Sequence, residues 1–180
     1  MVLKELLNTS TVAKDKAYAN WIQEALAGAD VLEEMVKFAF EGTDKERTRA
    51  CWILHHIGDR KPELLLGFVE GMIDQLDHAK TDAEMRFILR YFSKYELPQG
   101  EEAQGRLLHY SWMCMMDMQA TVAPRVYGMT IAYRMVRAYP ELAPELVQTL
   151  EKVIEYGSDG MKNRGKKILK WLRTTAYSRG

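Results

Sequence analysis

The sequence predicts an all-α protein, a right-handed α-α superhelix built from about four helical hairpins. Three observations predict this fold. Apolar residues follow helical spacing in every long segment, no segment alternates apolar and polar residues as a strand does, and the pattern recurs about every 39 residues. A hydrophobic content of 47% supplies a core and excludes a mostly disordered chain. A length of 180 residues fits one domain, 1–180.

Helices can be placed in order along the chain. Val69, Met72 and Leu76 follow the spacing of an amphipathic helix, and Pro62 and Pro140 fit first turns, where a missing N–H costs nothing. The predicted helices span residues 2–8, 12–27, 30–41, 44–58, 62–78, 82–95, 100–118, 122–138, 140–156 and 160–174. Because the connections are short, successive helices pair as antiparallel hairpins. The predicted hairpins are 12–41, 44–78, 82–118 and 122–156, with a capping helix at 160–174.

The internal repeat indicates how the hairpins are arranged. Residues aligned by a shift of 39 are Leu76, Met115 and Ile154 in the second helices and Ile53, Phe92 and Ile131 in the first helices. The tripeptide Pro-Glu-Leu at 62–64 recurs two repeats later at 140–142. This period lies close to the roughly 40–47 residues of HEAT and armadillo units, and therefore predicts a HEAT/armadillo-like solenoid.

Four short segments carry a family resemblance. They are Arg49–Leu54 (RACWIL), Val126–Tyr133 (VYGMTIAY), Tyr139–Leu142 (YPEL) and Lys166–Lys170 (KKILK). Over most of its length the chain resembles a family of small bacterial HEAT-like proteins, which implies the fold and no established activity. Some members are labelled adenylosuccinate lyase. The Gly-Ser-Ser-x-Met-Pro-x-Lys-x-Asn loop of true lyases does not occur in this sequence, so the resemblance implies no lyase activity.

The distribution of charge bears on possible partners. The chain has 25 basic and 25 acidic residues, which argues against a generally basic nucleic-acid-binding surface. Residues 158–180, however, hold seven basic residues and one acid. Within this segment Lys162, Lys166, Lys170 and Arg173 share one helix face. This face is interpreted as the polar cap of the repeat stack, or alternatively as a surface for nucleic acid or an anionic membrane.

Cysteine usage and the N-terminal residues predict a cytoplasmic protein. Cys51 and Cys114 lie inside apolar helical patterns, and two thiols do not make a disulfide framework. Residues 1–10 lack the apolar stretch and cleavage site of a signal peptide. No run approaches the roughly 18–20 apolar residues needed to span a membrane.

Known catalytic and metal-binding motifs are weak or missing. Gly160–Lys167 resembles a phosphate-binding loop, but Lys167 replaces the Ser or Thr, and the preceding segment is helical. Cys51 and His55 lie on one helix face with His56 and Asp59 nearby, whereas zinc needs three or four converging ligands. We therefore expect no metal and no cofactor, and no enzyme activity.

Four arginines recur with the period of the repeat. Arg47, Arg86, Arg125 and Arg164 are each 39 residues apart, one in each repeat. As a functional set they can bind phosphates or acidic peptides, because a guanidinium matches both oxyanions. As structural residues they can instead pair with the acids or carbonyls of neighbouring helices.

The helix predicted at 100–118 has a second face besides its core face. Residues on this face, with those aligned to it in the adjacent repeats, are Arg106, His109, Tyr110, Met113, Asp117, Glu70, Asp74, Gln148 and Lys152. We expect them to line the concave surface of the solenoid, where Met and Tyr suit an adaptable partner surface. They can alternatively cover neighbouring helices or form a homodimer contact.

The sequence thus favours a non-enzymatic scaffold that binds a protein or peptide along its concave face. The alternative is a nucleic-acid-binding protein, similar to HEAT-like alkylpurine DNA glycosylases, that uses the arginine set and the basic C-terminal helix. No recognisable catalytic Asp/Trp arrangement supports the glycosylase chemistry. An enzyme of small metabolites is the third reading.

Overall fold

A computed structural model describes residues 3–8 and 14–177. The α-helices are α1 (Leu3–Asn8), α2 (Lys14–Ala27), α3 (Ala29–Glu41), α4 (Asp44–Arg60), α5 (Val69–Leu76), α6 (Asp82–Lys94), α7 (Glu101–Met116), α8 (Val122–Ala138), α9 (Ala143–Tyr156) and α10 (Asp159–Tyr177). Two 3-10 helices, Pro62–Phe68 and Pro140–Leu142, precede α5 and α9. No strand occurs among the described residues, and helices pack in neighbouring pairs, so the predicted all-α fold class is confirmed.

The helices predicted at 62–78 and 140–156 differ from the observed ones in their first turns. Each begins as a 3-10 helix that starts at a proline. The N–H of Leu64 donates to the carbonyl of Lys61 at 3.2 Å, and the N–H of Leu142 donates to the carbonyl of Tyr139 at 3.1 Å. These bonds span three residues, as in a 3-10 turn, so apolar periodicity located each segment without resolving its first turn. Residues 12 and 13 of the first predicted hairpin lie outside the described residues.

The contacts divide the chain into two compact units, Met1–Tyr91 (unit 1) and Phe92–Gly180 (unit 2), with the boundary inside α6. In unit 1, α4 contacts α1, α2 and α3. Its core includes Met35, Ile53, Leu54 and Ile57, none of which has exposed surface. Burial of this apolar face accounts for the position of α4 in the unit.

In unit 2, α8 contacts α7, α9 and α10. Gly128 allows the closest approach, since a Cβ at this position would lie 2.5 Å from the carbonyl oxygen of Ser111 on α7. Met115, Met129 and Leu150 are fully buried in the core that these helices share. Glycine at 128 is therefore required by the packing of α7 against α8.

Five of the six residues aligned by the 39-residue shift are buried, and the sixth, Ile154, is half-buried against the core of unit 2. Ile53, Phe92 and Ile131 of the first helices have no exposed surface, and Leu76 and Met115 of the second helices are also buried. Within the described part of the chain, no helix is both long and apolar enough to cross a membrane.

Candidate partner-binding surface

Helix α7 divides into a buried and an exposed face. Leu107, Ser111 and Met115 follow i, i+4, i+8 spacing and are buried against the core of unit 2. The hydroxyl of Ser111 donates to the carbonyl of Leu107 at 2.7 Å, so this buried polar group is satisfied within the helix. His109 and Met113 lie on the opposite side of the helix and are exposed.

The structure places most of the predicted concave-face residues at the surface. On α7, Asp117 follows the helix and is exposed, while Arg106 and Tyr110 are half-buried. The ring centroid of Tyr110 lies 5.3 Å from that of His109 in an edge-on arrangement. Gln148 and Lys152 are exposed on α9. In unit 1, Glu70 and Asp74 are exposed on α5.

Helices α7 and α9 of unit 2 contact each other, and one hydrogen bond fixes their register. The indole N–H of Trp112 donates to the hydroxyl of Thr149 at 3.2 Å. Trp112 immediately precedes Met113, and Thr149 immediately follows Gln148. Met113 and Gln148 are both exposed. The predicted residues of α7 and α9 therefore belong to neighbouring helices within one compact unit.

A group of exposed apolar side chains lies at the C-terminal end of α7, in the connection to α8 and at the first residue of α8. Met113, Met116, Met118 and Val122 are 53%, 46%, 61% and 45% exposed. We call these four residues the methionine patch. Large apolar side chains this exposed, grouped within ten residues of chain, are a feature of partner-binding surfaces. Sequence reasoning identified Met113 but not the other three, although all three methionines stand in one methionine-rich run.

The connection between α7 and α8 is held by local hydrogen bonds. The N–H of Asp117 donates to the carbonyl of Met113 at 2.9 Å and ends α7. The carboxylate of Asp117 then accepts from the N–H of Gln119 at 2.8 Å, which turns the chain. Asp117 thus has a structural role in positioning the methionine patch.

A family model described as a HEAT repeat domain matches residues 4–172. The chain belongs to the HEAT repeat domain family. Searches among curated proteins and among solved structures gave no match. The family is defined by stacked helical hairpins and indicates a repeat scaffold, with no catalytic class attached.

In this HEAT repeat protein the four periodic arginines do not occupy equivalent helix positions. Helices α4, α6, α8 and α10 begin at Asp44, Asp82, Val122 and Asp159, so their starts are 38, 40 and 37 residues apart. The constant spacing of 39 therefore places the arginines at the fourth, fifth, fourth and sixth residues of these helices.

Arg47 and Arg125 are buried and bound to protein groups. Nε of Arg47 donates to the carbonyl of Gly42 at 2.7 Å, and one terminal nitrogen pairs with Glu84 at 2.6 Å. Nε and a terminal nitrogen of Arg125 donate to the carbonyl of Met115 at 3.3 and 3.1 Å. Both arginines thus satisfy a carbonyl at the end of the preceding helix, which is the structural alternative for this set.

Arg86 and Arg164 are more accessible. Arg86 is exposed and pairs with Asp82 one turn earlier at 2.6 Å. Arg164 is half-buried and donates to the hydroxyl of Thr130 at 2.8 and 3.0 Å, and its guanidinium lies 5.6 Å from the ring centroid of Trp171. Burial lowers the pKa of Arg164. All four residues therefore have protein partners, which does not favour a shared anion site.

A buried carboxylate in unit 1 was missed by sequence reasoning. Glu84 has no exposed surface and accepts hydrogen bonds from Gln75 at 2.7 Å and from the N–H groups of Lys80 and Thr81 at 3.0 and 2.9 Å, besides its ion pair with Arg47. The signal was present as Thr81-x-x-Glu84, the capping-box pattern at a helix start.

The histidines and Cys51 on α4 serve packing and hydrogen bonding. Arg90 donates to both carboxylate oxygens of Asp59 at 2.7 and 2.6 Å and also contacts His55. Burial raises the pKa of the Cys51 thiol. The described residues include no group of three or more His, Cys, Asp or Glu side chains that can hold a metal ion.

The basic C-terminal segment forms α10. The phosphate-loop-like residues 160–167 lie inside this helix. Gly165 packs so closely against Ile154 that a Cβ added to the glycine would lie 2.7 Å from Cγ1 of Ile154. Helix packing therefore explains the glycine. Lys166, Lys170 and Arg173 are exposed, and Lys162 is half-buried.

Proposed function

We propose that this HEAT repeat protein is a non-enzymatic scaffold that binds a protein or peptide through the exposed face of α7 and α9, the second helices of the hairpins in unit 2. The methionine patch is the observation that carries the proposal. Water contacts these four apolar side chains in the isolated chain, and a partner that covers them removes that area from water. HEAT repeats typically bind proteins, which supports the same function.

The chemistry of the patch favours a protein partner. Unbranched methionine side chains adapt their shape to an apolar surface and are enriched at interfaces. His109 and Tyr110 lie on α7, the helix that carries Met113 and Met116, and Gln148 and Lys152 lie on the contacting helix α9, so both helices offer hydrogen-bonding groups. An apolar centre flanked by polar groups is the usual organisation of a protein interface.

Nucleic-acid binding is the second candidate, favoured by the exposed basic face of α10. Lys166 and Lys170 are exposed, and no described residue forms an ion pair with either. Arg47 and Arg125 do not contribute, because both are buried against protein carbonyls. The second candidate therefore depends mainly on α10, because Arg86, although exposed, is paired with Asp82.

Affinity capture with the whole chain tests the proposal. The tested variant is Met113→Glu/Met116→Glu, which adds two charges to exposed positions of the patch; Met118 is left unchanged because its sulfur lies 3.6 Å from a guanidinium nitrogen of Arg125. Its matched control is Trp52→Glu/Leu66→Glu, which adds two charges at exposed apolar positions of unit 1, away from the proposed surface. Circular dichroism and thermal melting of each variant check that the fold is retained.

Proteins captured from nuclease-treated lysate are quantified by mass spectrometry, and each candidate is purified and titrated against the chain by calorimetry. We expect the patch variant to raise the Kd of a purified partner about 100-fold, because charges buried in an apolar interface cost several kcal/mol. The control should leave this Kd unchanged. Equal binding by wild type and patch variant contradicts the proposal. If captured material is instead lost on nuclease treatment, and its capture requires Lys166 and Lys170, the result supports nucleic-acid binding.

A further inference from the structure

A groove of about 320 Å³ lies in unit 2, apart from the methionine patch. It is bounded by the first turns of α7, the end of α8 and the 3-10 helix Pro140–Leu142. Leu108, Met135 and Leu142 form an apolar floor. A groove of this size accommodates one long side chain of a partner.

One wall of the groove is fixed by a short chain of hydrogen bonds. The hydroxyl of Tyr139 donates to Oε1 of Gln104 at 2.6 Å. Nε2 of Gln104 donates in turn to the carbonyl of Pro98 at 2.9 Å. Because these bonds hold Gln104 and Tyr139 in place, the wall is formed before any ligand binds.

Two carboxylates lie at the edge of this apolar groove. Glu101 and Glu141 both line it and both are exposed. No described residue forms an ion pair or hydrogen bond with either carboxylate. The groove therefore combines an apolar floor with negative charge that the chain itself does not neutralise.

We propose that this groove receives a lysine or arginine side chain of the protein partner. Such a side chain has an apolar methylene stem, which covers the floor, and a cationic head, which reaches the carboxylates of Glu101 and Glu141. A neutral apolar side chain leaves the two charges unmatched, and an anion is repelled by them. The inference rests on the proposed function, because it supplies one element of the partner's chemistry.

The position of the groove favours a protein segment over a free amine. Glu101 at the edge of the groove is the first residue of α7 and Met116 of the methionine patch is the last, and the 16 residues of this helix span about 24 Å. An extended segment of about seven or eight residues spans that distance. One partner segment can thus place a basic side chain in the groove and an apolar side chain on the patch.

The test uses NMR titration of the whole ¹⁵N-labelled chain with three small probes. These are the N-acetyl, N-methylamide derivatives of arginine, lysine and citrulline. Citrulline has nearly the shape of arginine without its charge. We expect saturable shifts at the amides of Gly105 and Leu142 with arginine or lysine, and about fivefold weaker binding of citrulline, as expected for two exposed ion pairs.

The variant Glu101→Gln/Glu141→Gln should raise the Kd of the cationic probes about fivefold. The matched control Glu102→Gln/Glu145→Gln removes two charges from exposed neighbouring positions that do not line the groove, and should leave the Kd within about twofold. Equal binding of citrulline, or equal weakening by the control, overturns the proposal. Spermidine that binds at the same amides at least tenfold more tightly than the capped amino acids also overturns it, in favour of a free polyamine.

The two proposals fail in distinguishable ways. Partner capture that depends on Met113 and Met116, together with absent shifts at the groove, overturns the groove inference and leaves the scaffold function standing. Specific shifts at the groove with no partner lost in the patch variant overturn the role of the methionine patch.

Discussion

Helices α4 and α6 of unit 1 and helices α8 and α10 of unit 2 hold corresponding places in the repeat, but their first turns are built from different residues. At the third position of the helix, α4 and α6 have Glu46 and Glu84, each three residues after a threonine. At the same position α8 and α10 have Pro124 and Met161, and both are buried. The third residue is therefore a carboxylate in α4 and α6 and an apolar residue in α8 and α10.

An arginine contact to a carbonyl occurs in both units, whereas its contact to a carboxylate occurs in unit 1. Arg47 and Arg125, two repeats apart, each donate to a carbonyl at the end of the preceding helix. Only Arg47 also meets a carboxylate, that of Glu84. The polar residues at the start of α4 in unit 1 thus form hydrogen bonds within that unit. In unit 2, the end of α7 and its connection to α8 instead expose Met116 and Met118. We infer that polar groups secure the helix starts of unit 1 and that the α7–α8 connection keeps apolar side chains available for a partner.

The largest expected effect comes from removing the buried carboxylate of unit 1. Glu84→Ala leaves the guanidinium of Arg47 buried without its counter-charge, and leaves Gln75 and two backbone N–H groups without their acceptor. We expect the free energy of unfolding to fall by about 3–5 kcal/mol, the usual cost of breaking a buried ion pair. Urea denaturation measures this loss.

The control for Glu84→Ala is Arg86→Ala in the same helix. Arg86 forms an exposed ion pair with Asp82, and such pairs contribute about 0–1 kcal/mol. A loss below about 1 kcal/mol in Glu84→Ala, or similar losses in the two variants, contradicts the idea that a buried carboxylate stabilises unit 1.

The fold was largely predictable from the sequence, because apolar periodicity reports which face of each helix is buried. The aligned residues Ile53, Phe92 and Ile131 are fully buried as this argument requires. The arginine set was harder to interpret. Its spacing is constant at 39, while the helix starts are 38, 40 and 37 residues apart, so equal sequence spacing does not give equal helix position.

The candidate site was only partly predictable. Met113 and His109 are exposed, because they lie opposite the buried face of α7. The exposure of Met116 and Met118 was not predicted, because it depends on where α7 ends and how the connection turns at Asp117. The groove also lies beyond local patterns, since its wall joins Gln104 and Tyr139, which are 35 residues apart in the chain.

A smaller effect should distinguish the two threonine caps. The hydroxyl of Thr43 accepts from the N–H of Glu46 at 3.4 Å and completes a capping box, whereas the side chain of Thr121 makes no capping hydrogen bond at the start of α8. We expect Thr43→Ala to lower the free energy of unfolding by about 1 kcal/mol through loss of its cap, a contribution that Thr121→Ala does not remove. Equal losses measured by urea denaturation argue against the difference between the units.

The smallest expected effect is a dependence on pH that α4 has and α8 lacks. The backbone N–H of Thr43, followed by the side chain of Asn8, lowers the pKa of Glu46, whereas Pro124 at the corresponding position does not titrate. A carboxyl group whose pKa is lower in the folded state contributes stability above its unfolded pKa, and this contribution is lost as the pH falls through the folded value. Unfolding free energies of wild type and Glu46→Gln should therefore differ most near pH 7 and converge below about pH 4.5.

Urea denaturation of both proteins at several values between about pH 3.5 and 7 measures this convergence. A difference that stays constant over the range means that the ionised carboxylate is not what secures the start of α4. The start of α4 would then be secured by packing and by neutral hydrogen bonds, without a contribution from the charge of Glu46. Convergence toward low pH instead places the stabilisation in the charged form of Glu46, a form that Pro124 cannot supply at the start of α8.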